Sequence, residues 1–421
     1  MSAEMKPGYQ KTELGVIPSD WDILPLGSLL SFKNGLNKAK EFFGYGTPIV
    51  NYMDVFQSPG LHKKDIQGRV HVDRNELKSY EVRKGDVFFT RTSETVEEIG
   101  ISSVVLEETP DTVFSGFVLR GRPVDESFDD EYKKYCFSAT YFRKQVTSRA
   151  SYTTRALTNG RSLAASLLVR PPLLEQKRIA TVLSDIDALV SSLEQLVAKK
   201  RNIQQATMQQ LLTGQRRLPR FSGEWNKVAI GDHIDLLTGF PFPSSHYSSS
   251  GIRLLRGSNV KRGQTDWGDD LVQYWPSLTS DIAKYELAAG DLVIAMDGSL
   301  VGRSFARLDK SDLPAVLLQR VARIRSKTID IGFLTHQIAS DLFVSYCDSV
   351  KTVTAIPHIS SADIRGFVIP LPPTLEEQTA IATTISDMGT ELAALEARRN
   401  KARQLKLGMM QELLTGRIRL V

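Results

Sequence analysis

Residues 171–218 read PPLLEQKRIATVLSDIDALVSSLEQLVAKKRNIQQATMQQLLTGQRRL, and residues 373–420 repeat them as PTLEEQTAIATTISDMGTELAALEARRNKARQLKLGMMQELLTGRIRL. The copies align without a gap at an offset of 202 residues, and 21 of the 48 aligned positions are identical. Solenoid repeats are about 20–50 residues long, so this period excludes a solenoid. We therefore predict two halves, each a globular domain that leads into a long helix.

The composition is that of an ordinary globular protein. Of 421 residues, 41% are hydrophobic and 24% are charged, and the length predicts two to three domains. The net charge is only +5, and it is not concentrated in one segment. Residues 1–170 carry 23 basic and 22 acidic side chains, and residues 219–372 carry 16 of each. Charge alone therefore leaves nucleic-acid binding open.

Cysteine usage and hydropathy exclude several classes. Cys136 and Cys347 are isolated, which argues against a disulfide, a metal cluster or a redox motif. No apolar run approaches the roughly 20 residues of a membrane span. The N-terminal stretch MSAEMKPGYQKTELG has no signal-peptide core. We expect a cytoplasmic protein with no membrane partner.

The two repeats carry the pattern of a coiled coil. Apolar residues recur at alternating steps of four and three, first along Ile179, Leu183, Ile186, Val190, Leu193 and Val197, then along Ile381, Ile385, Met388, Leu392 and Leu395. The stripe then shifts phase, towards Ile203, Met208 and Leu211 and towards Leu405, Met409 and Leu413. Each helix should be about 40 residues and roughly 60 Å long. The alternative is that each helix packs only on its own domain.

Start and stop signals bound both helices. The Pro171-Pro172 pair precedes the first, and the spacing Thr374…Glu377 predicts a capping box at the second. Gly214 and Gly416 stand where left-handed C-terminal caps are expected.

The segments before the helices also match. DWDILPLG begins at Asp20 and EWNKVAIG at Glu224, and the glycine-led turn Gly85-Asp86 matches Gly290-Asp291. Short β-rich stretches dominate 20–125 and 225–326, followed by helical stretches at about 129–148 and 331–350. The short linker LPRFSGE, residues 218–224, requires the second helix to run back antiparallel to the first.

The predicted fold class is thus α+β. Two globules are separated by a pair of long antiparallel coiled-coil helices with pseudo-two-fold symmetry. We assign residues 1–170 to the first globule, 171–218 to the central helix, 219–372 to the second globule and 373–421 to the C-terminal helix.

This arrangement resembles the specificity subunits of type I restriction–modification systems over essentially the whole chain. The resemblance rests on the opening KTELGVIPSDW, the helix starts PPLLEQKRIA and PTLEEQTAIA, and the LLTG ends followed by basic residues. It implies that each globule is a target recognition domain for one half of a bipartite site in double-stranded DNA. The helices would set the spacer and dock two methyltransferase subunits, and restriction subunits would join the complex. It also implies that S-adenosylmethionine, ATP and Mg²⁺ belong to partner subunits and that this chain binds no cofactor.

The sequence lacks most of the motifs that mark catalytic, nucleotide-binding or metal-binding sites. There is no amino-methyltransferase motif of the NPPY type, no P-loop and no HExxH. Asp111, Glu131 and Lys133 have the loose spacing of a metal-dependent nuclease site. We expect Glu131 and Lys133 to lie on an exposed helix face instead. A Mg²⁺-dependent nuclease and a coiled-coil scaffold without DNA binding remain the alternatives.

Polar residues in loops beside predicted strand ends are the candidate DNA contacts, since arginine, asparagine and hydroxyl side chains pair with base edges and phosphates. Each one alone could equally be a solvated loop residue. In the first globule they are Lys38, Arg91, Thr92, Ser93, Ser151, Tyr152, Thr153, Thr154 and Arg155. In the second they are Arg256, Ser258, Asn259, Lys261, Asp297, Ser299, Arg303, Lys351, Thr354 and His358.

Overall fold

The computed structural model describes residues 7–152 and 154–421. Contacts divide the chain into unit 1, formed by Met1–Glu194 with Ala397–Val421, and unit 2, formed by Gln195–Glu396. Each long helix therefore contributes one part to each unit. The four-part division by sequence stays a prediction, because these units follow packing and not the ends of the helices. Within the described ranges, no helix is both long enough and apolar enough to cross a membrane.

Unit 1 is a mixed α and β unit. Its strands are β1 (Tyr9–Thr12), β2 (Gly15–Pro18), β3 (Asp22–Pro25), β4 (Leu30–Asn34), β5 (Phe43–Val50), β6 (Gly60–Leu61), β7 (Arg69–Val70), β8 (Val87–Thr90), β9 (Thr92–Ser93), β10 (Ser102–Val105), β11 (Val113–Phe114), β12 (Val118–Pro123), β13 (Ser151–Tyr152), β14 (Ala156–Leu157) and β15 (Leu167–Arg170). Its short helices are α1 (Leu26–Leu29), α2 (Tyr52–Gln57), α3 (Arg74–Ser79), α4 (Asp130–Cys136), α5 (Thr140–Ser148) and α6 (Gly160–Ala164).

The central sheet of unit 1 has five strands in the order β4-β12-β8-β10-β6. Strand β8 reads VFFT and is buried along its whole length, as the continuous apolar run predicts. Two smaller sheets have the strand orders β11-β5-β7 and β13-β14-β9, and β15 pairs with β3. The β15–β3 pair ties the last strand before the long helix to the first strands of the unit.

Unit 2 repeats much of this plan. Its strands are β16 (Asn226–Ala229), β17 (Ile234–Thr238), β18 (Ile252–Leu255), β19 (Tyr274–Trp275), β20 (Leu292–Ala295), β21 (Phe305–Arg307), β22 (Ala315–Leu317), β23 (Val321–Ser326) and β24 (Val368–Leu371). Its short helices are α8 (Ile331–Ala339), α9 (Asp341–Val350) and α10 (Ser361–Gly366). The sheets are β17-β23-β20-β21, β19-β18-β22 and β16-β24. Strand β20 corresponds to β8, and β24 pairs with β16 as β15 pairs with β3.

The long helices are α7 (Leu173–Leu212) and α11 (Leu375–Leu413), of 40 and 39 residues. The predicted lengths are therefore confirmed, and α7 begins immediately after Pro172. Gly214 and Gly416 adopt φ values of +73° and +70°, so both left-handed caps are confirmed. Thr374 Oγ1 accepts a hydrogen bond from Glu377 N at 3.2 Å, as a capping residue does. The Glu377 carboxylate also accepts hydrogen bonds from Arg217.

Within each unit the two long helices run antiparallel. In unit 1, Asp187 pairs with Lys406 and Glu194 with Arg403, both at 2.6 Å. In unit 2, Lys200 pairs with Glu391 at 2.7 Å and Arg201 pairs with Glu396. In both sets of ion pairs, residue numbers that increase along α7 are paired with residue numbers that decrease along α11. The predicted seam is buried on α7 at Ile179, Leu183, Ile186, Leu193 and Val197, and on α11 at Ile381 and Ile385.

The helical stretches predicted at about 129–148 and 331–350 are confirmed, and each consists of two helices, α4 with α5 and α8 with α9. Two predictions are wrong in detail. Ile203 and Leu405, placed in the shifted apolar stripe, are 43% and 55% exposed. Lys133 is buried, because its ammonium group binds Gly85 O at 3.1 Å and Asp130 at 2.5 Å.

Candidate nucleic-acid interface

The central strand of each unit starts at an anchored turn. In unit 1, Asp86 accepts hydrogen bonds from Arg122 Nε at 2.8 Å and Nη2 at 2.7 Å. In unit 2, Asp291 accepts from Arg325 Nε at 2.5 Å and Nη2 at 2.8 Å. Both carboxylates are almost fully buried. Because a charge-assisted bidentate pair is geometrically specific, these pairs fix β8 and β20 at one end. The loops that carry candidate DNA contacts follow the C-terminal ends of β8 and β20.

In unit 1 the structure brings together two of the predicted segments. Strand β14 pairs with β9 on one side and with β13 on the other. Ala156 of β14 therefore lies opposite both Ser93 of β9 and Tyr152 of β13. The segment at Arg91 therefore lies beside the loop that carries Ser151, Tyr152, Thr154 and Arg155. Tyr152 is 59% exposed. Thr153 lies outside the described residues.

Not every residue of this group is free to contact a ligand. Ser93 is buried, and its hydroxyl donates to Glu98 Oε2 at 3.1 Å. Arg91 is half-buried, and its Nη1 donates to Gly116 O at 3.4 Å. Thr92 is half-buried, whereas Ser151, Thr154 and Arg155 are exposed. The exposed candidate contacts of unit 1 are thus Ser151, Tyr152, Thr154 and Arg155 rather than the segment at Arg91–Ser93.

Lys38 is already engaged inside unit 1. Its ammonium group lies 2.6 Å from Glu76 Oε2, donates to His71 O at 2.8 Å and sits 4.8 Å from the ring centre of Phe42. The hydrogen bond from Lys38 holds the pKa of Glu76 below its usual value. A phosphate contact by Lys38 would require it to leave this carboxylate.

In unit 2 the turn after β20 meets the loop after α9. Gly298 N donates to Pro357 O at 3.0 Å, and Asp297 pairs with His358 as an isolated β-bridge. Within the loop, His358 N donates to Thr352 Oγ1 at 3.0 Å, and Thr354 Oγ1 donates to Ile356 O at 2.7 Å. These bonds place Asp297, Ser299, Thr354 and His358 on one side of the unit. The loop corresponds to 151–155 of unit 1, since each follows the second of two helices.

Two predicted cations share one carboxylate near this loop. Lys351 Nζ lies 2.6 Å from Asp348 Oδ1, and Arg303 Nη2 lies 3.0 Å from Asp348 Oδ2. The hydrogen bonds from Lys351 and Arg303 lower the pKa of Asp348. The cluster therefore carries two positive charges and one negative charge on the exposed surface.

The segment 256–261 divides into supporting and exposed residues. Asn259 is fully buried, and its Nδ2 donates to Asp266 O at 2.9 Å. The Arg256 guanidinium binds Leu271 O. Ser258 is exposed, and Lys261 is half-buried with Asp266 3.7 Å away. In this conformation Asn259 and Arg256 shape the loop, whereas Ser258 and Lys261 are accessible.

Two large exposed side chains beside these loops were not among the predicted contacts. Phe117 in unit 1 is 64% exposed, and the Arg320 side chain in unit 2 is 61% exposed. A phenylalanine within the β-rich sequence VFSGFVL is normally read as a core residue, so sequence alone gives no signal for Phe117. Arg320 follows an apolar strand without any motif.

The residues of the nuclease alternative do not act together in the structure. Asp111 lies in an exposed turn, Glu131 pairs with Lys134 at 3.1 Å, and Lys133 is buried against Gly85. Across residues 7–152 and 154–421, no three His, Cys, Asp or Glu side chains are grouped so that they could hold a metal ion. Cys136 and Cys347 are both buried free thiols.

Comparison with known proteins finds similarity to proteins of restriction systems. Residues 222–403 match the family model of the type I restriction modification DNA specificity domain. The chain is 33% identical over 181 residues to the EcoAI specificity subunit of Escherichia coli, covering 40% of this chain and 30% of that relative. It is 28% identical to the MjaVIII specificity subunit of Methanocaldococcus jannaschii, covering 59% of this chain and 61% of the relative. These two matches thus span less than two thirds of each relative.

Other matches extend over the whole chain. The putative MjaX specificity subunit of Methanocaldococcus jannaschii is 24% identical, with 98% of this chain and 96% of that relative covered. The crystal structure of the S subunit from M. genitalium superposes with a TM-score of 0.57 at 13% identity, covering 97% of this chain and 99% of the other. At that identity the superposition supports the fold alone, and it confirms the mixed α and β class with long helices. Together with the duplicated helices, these matches lead to one conclusion: residues 222–403 match the type I restriction modification DNA specificity domain, and the chain as a whole is similar to type I restriction–modification specificity subunits.

Proposed function

We propose that this chain selects the DNA sequence on which a type I restriction–modification complex acts. Each unit would read one half of a bipartite site in double-stranded DNA through the exposed loops described above. The observation that carries the proposal is the repeated placement of these loops. In both units the loop after the second helix lies beside the turn that follows the buried central strand. The loops differ in sequence, so the two half-sites would differ.

The chemistry of the exposed side chains fits this role. Side chains of both units can bind phosphates and base edges. In unit 1 they are hydroxyl groups, Arg155 and Tyr152, and in unit 2 they are hydroxyl groups, Lys351 and Arg303. The modest net charge of +5 is compatible with partner subunits that supply part of the phosphate contact.

The long helices would act as the spacer and as the docking surface for two methyltransferase subunits. Leu189, Leu196 and Ile203 lie outside the buried seam of α7 and are 40%, 38% and 43% exposed. Exposed apolar side chains along one helix are typical of a surface that a partner covers. Native mass spectrometry of the co-expressed complex should give two methyltransferase subunits per chain, and a saturated complex with one would contradict the symmetric docking.

Catalysis and cofactors would reside in the partners. The methyltransferase subunits would bind S-adenosylmethionine and flip an adenine in each half-site, and restriction subunits would use ATP and Mg²⁺. This chain would contribute neither a catalytic residue nor a cofactor site. Its contribution is to hold the partners over a chosen sequence.

The decisive experiment is to express the chain with its methyltransferase subunits in a host that lacks adenine methylation. Methylation-sensitive sequencing should reveal one asymmetric motif, consisting of two short half-sites around an unspecified gap. A methylated motif without a gap, or no methylation by a correctly assembled complex, would contradict the proposal.

Two further measurements separate the alternatives. Purified chain incubated with plasmid and Mg²⁺ should leave the DNA intact, whereas a nuclease would cut it. Gel shifts with the methyltransferase present should show binding that survives competitor DNA, whereas a scaffold without DNA binding would give no such complex.

A further inference from the structure

Two turns occupy equivalent positions in the two units. In unit 1 the turn between β11 and β12 has Gly116 N donating to Leu36 O at 2.8 Å and Arg91 N donating to Phe117 O at 3.2 Å. In unit 2 the turn between β22 and β23 has Gln319 N donating to Phe240 O at 2.9 Å and Met296 N donating to Arg320 O at 2.9 Å.

A third pair of bonds closes both turns in the same way. Val118 N donates to Ser115 O at 3.1 Å, and Val321 N donates to Leu318 O at 3.3 Å. Because the three bonds correspond one to one, Phe117 and Arg320 occupy the same backbone position. In each case the carbonyl of this residue accepts from the residue that follows the central strand.

Both side chains project from a rigid base. Ser115 and Val118, around Phe117, are buried, as are Leu318 and Val321, around Arg320. The exposure of Phe117 therefore does not come from a loosely packed loop. Exposure of a single phenylalanine is ordinary on a protein surface, so Phe117 is distinguished by the turn position that it shares with Arg320.

Arg320 has two additional features. It has a φ of +67°, a conformation that residues with a Cβ atom rarely adopt. Its Nη1 lies 2.8 Å from Asp297 Oδ2, which orients the guanidinium group at the surface. A carboxylate that holds one edge of a guanidinium leaves its remaining donors free for an outside acceptor pair.

We propose that Phe117 and Arg320 are specificity-determining residues, one for each half-site. Phe117 would pack against a thymine methyl group, and Arg320 would donate to N7 and O6 of a guanine in the major groove. An apolar side chain distinguishes thymine by its methyl group, and a planar bidentate donor distinguishes guanine by its N7 and O6 acceptors. The inference rests on the proposed function, and it identifies a single turn position that sets part of the sequence preference of each unit.

The test for Arg320 uses the methyltransferase complex and a duplex that carries the methylation motif found for the wild type. Arg320→Ala and Arg320→Lys should each lose roughly 5- to 150-fold in preference for one guanine of the second half-site. Replacing that guanine by 7-deazaguanine should weaken the wild type but not Arg320→Ala. Lys310→Ala, which removes an exposed cation from another turn of unit 2, should leave the preference unchanged.

The test for Phe117 follows the same logic. Phe117→Ala should bind the first half-site about fourfold less tightly, because a methyl contact is lost. Replacing one thymine of that half-site by deoxyuridine should weaken the wild type by a similar factor and leave Phe117→Ala unaffected. Val124→Ala is the matched control, since Val124 is 53% exposed at the opposite end of β12.

Three outcomes overturn the inference. The first is that the variants keep wild-type preference at every position of both half-sites. The second is that Arg320→Ala weakens binding equally for all sequences with a reduced salt dependence, which is the behaviour of a phosphate contact. The third is that Phe117→Ala responds to deoxyuridine as the wild type does. If the wild-type complex itself shows no sequence preference, the proposed function fails instead, and thermal unfolding of each variant identifies a loss of folding.

Discussion

At the scale of single residues, two arginines lock the ends of the long helices. In unit 1, Arg419 donates to Glu175 through Nε and Nη2, both at 2.8 Å. In unit 2, Arg217 donates to Glu377 through Nε at 2.9 Å and Nη2 at 2.6 Å. The two pairs are related by the 202-residue offset of the sequence repeat. In each pair the arginine follows the end of one helix and the glutamate begins the other.

Glu175 is the more heavily engaged of the two glutamates. Its carboxylate also accepts from Trp21 Nε1 at 2.9 Å and from Leu420 N at 3.1 Å. Burial alone would raise the pKa of Glu175, but the hydrogen bonds from Arg419 and Trp21 outweigh it and hold the pKa below the ordinary value of a glutamate. In unit 2 the corresponding Trp225 Nε1 is buried without a hydrogen-bond partner.

Replacing Arg419 should therefore destabilise unit 1. Arg419→Ala leaves a buried carboxylate unpaired, and we expect a loss of roughly 3 kcal/mol in the free energy of unfolding at pH 7. Because the folded state lowers the pKa of Glu175, the stabilisation is present above the ordinary pKa of a glutamate and is lost as the pH falls through the folded-state pKa. Urea unfolding at pH 7 and pH 4 should show the difference between wild type and variant shrinking at the lower pH.

Arg417→Ala is the control for this measurement. Arg417 pairs with Glu412 on the surface, with side-chain exposures of 56% and 36%, and such pairs contribute about 1 kcal/mol or less. Equal effects of Arg417→Ala and Arg419→Ala would mean that burial of Glu175 does not govern the stability.

The glycines that cap the long helices should differ in their tolerance of alanine. A Cβ atom at Gly416 would lie 2.4 Å from Pro18 Cδ, whereas one at Gly214 would lie 3.0 Å from Trp225 Cε3. Both have positive φ, which costs a non-glycine residue roughly 1–2 kcal/mol. Gly416→Ala should therefore lower the unfolding midpoint more than Gly214→Ala.

Gly408→Ala should raise the unfolding midpoint, in contrast to the two cap variants. Gly408 lies inside α11, and a Cβ there would meet no atom within 4 Å. Alanine should stabilise the helix by about 0.5–1 kcal/mol. A midpoint for Gly416→Ala at or above that of Gly408→Ala would contradict the assignment of Gly416 as a strained cap.

At the scale of elements, the helices are the part of the fold that sequence predicts best. Leu183 and Ile385 repeat with a fixed period, and Gly214 and Gly416 end the pattern, so local rules decide the helices. The Arg419–Glu175 pair could not be predicted, because each arginine binds a glutamate of the other repeat and an alignment of the repeats does not show it. The break between α8 and α9 at Ser340 depends on how the two helices pack, which periodicity alone does not reveal.

Lengthening both helices should lengthen the unread gap of the DNA site. We would insert one heptad after Val197 and one after Arg399, which preserves the Glu194–Arg403 pair of unit 1 and the Arg201–Glu396 pair of unit 2. The helices then grow by roughly 10 Å, which corresponds to about three base pairs. Methylation mapping should show unchanged half-sites with a longer gap, and lower activity where the half-sites no longer align around the duplex.

Single insertions provide the control for the spacer. A heptad in α7 alone shifts its pairing with α11 beyond the insertion, so activity should fall further than in the double variant. An active double variant whose gap is unchanged would exclude a spacer role for the helices.

At the scale of the whole molecule, the two units should read DNA independently. Replacing residues 225–370 with the matching segment of another specificity subunit should change one half-site and leave the other as it was. Contacts at separated positions contribute roughly additively, so the first unit should keep its preference. The same methylation mapping tests this, and a simultaneous change in both half-sites would contradict independence.

The candidate interface was predictable only as groups of loops. Sequence placed Lys351–Thr354 correctly in a loop after a helix, whereas Ser151 and Tyr152, also predicted to lie in a loop, form strand β13. It could not separate Asn259, which is buried, from Ser258, which is exposed, since both are polar neighbours in one turn. Phe117 was missed for the opposite reason, because its sequence context is that of a core residue.

The composition of unit 1 from two distant segments has a consequence for how the chain is made. Synthesis runs from the N-terminus, so Glu175 and Trp21 leave the ribosome long before Arg419, while unit 2 is one uninterrupted segment, Gln195–Glu396. Domains usually fold as they emerge, in order of synthesis. Here the later-made unit can be completed first, and the earlier-made unit must wait for the last residues of the chain.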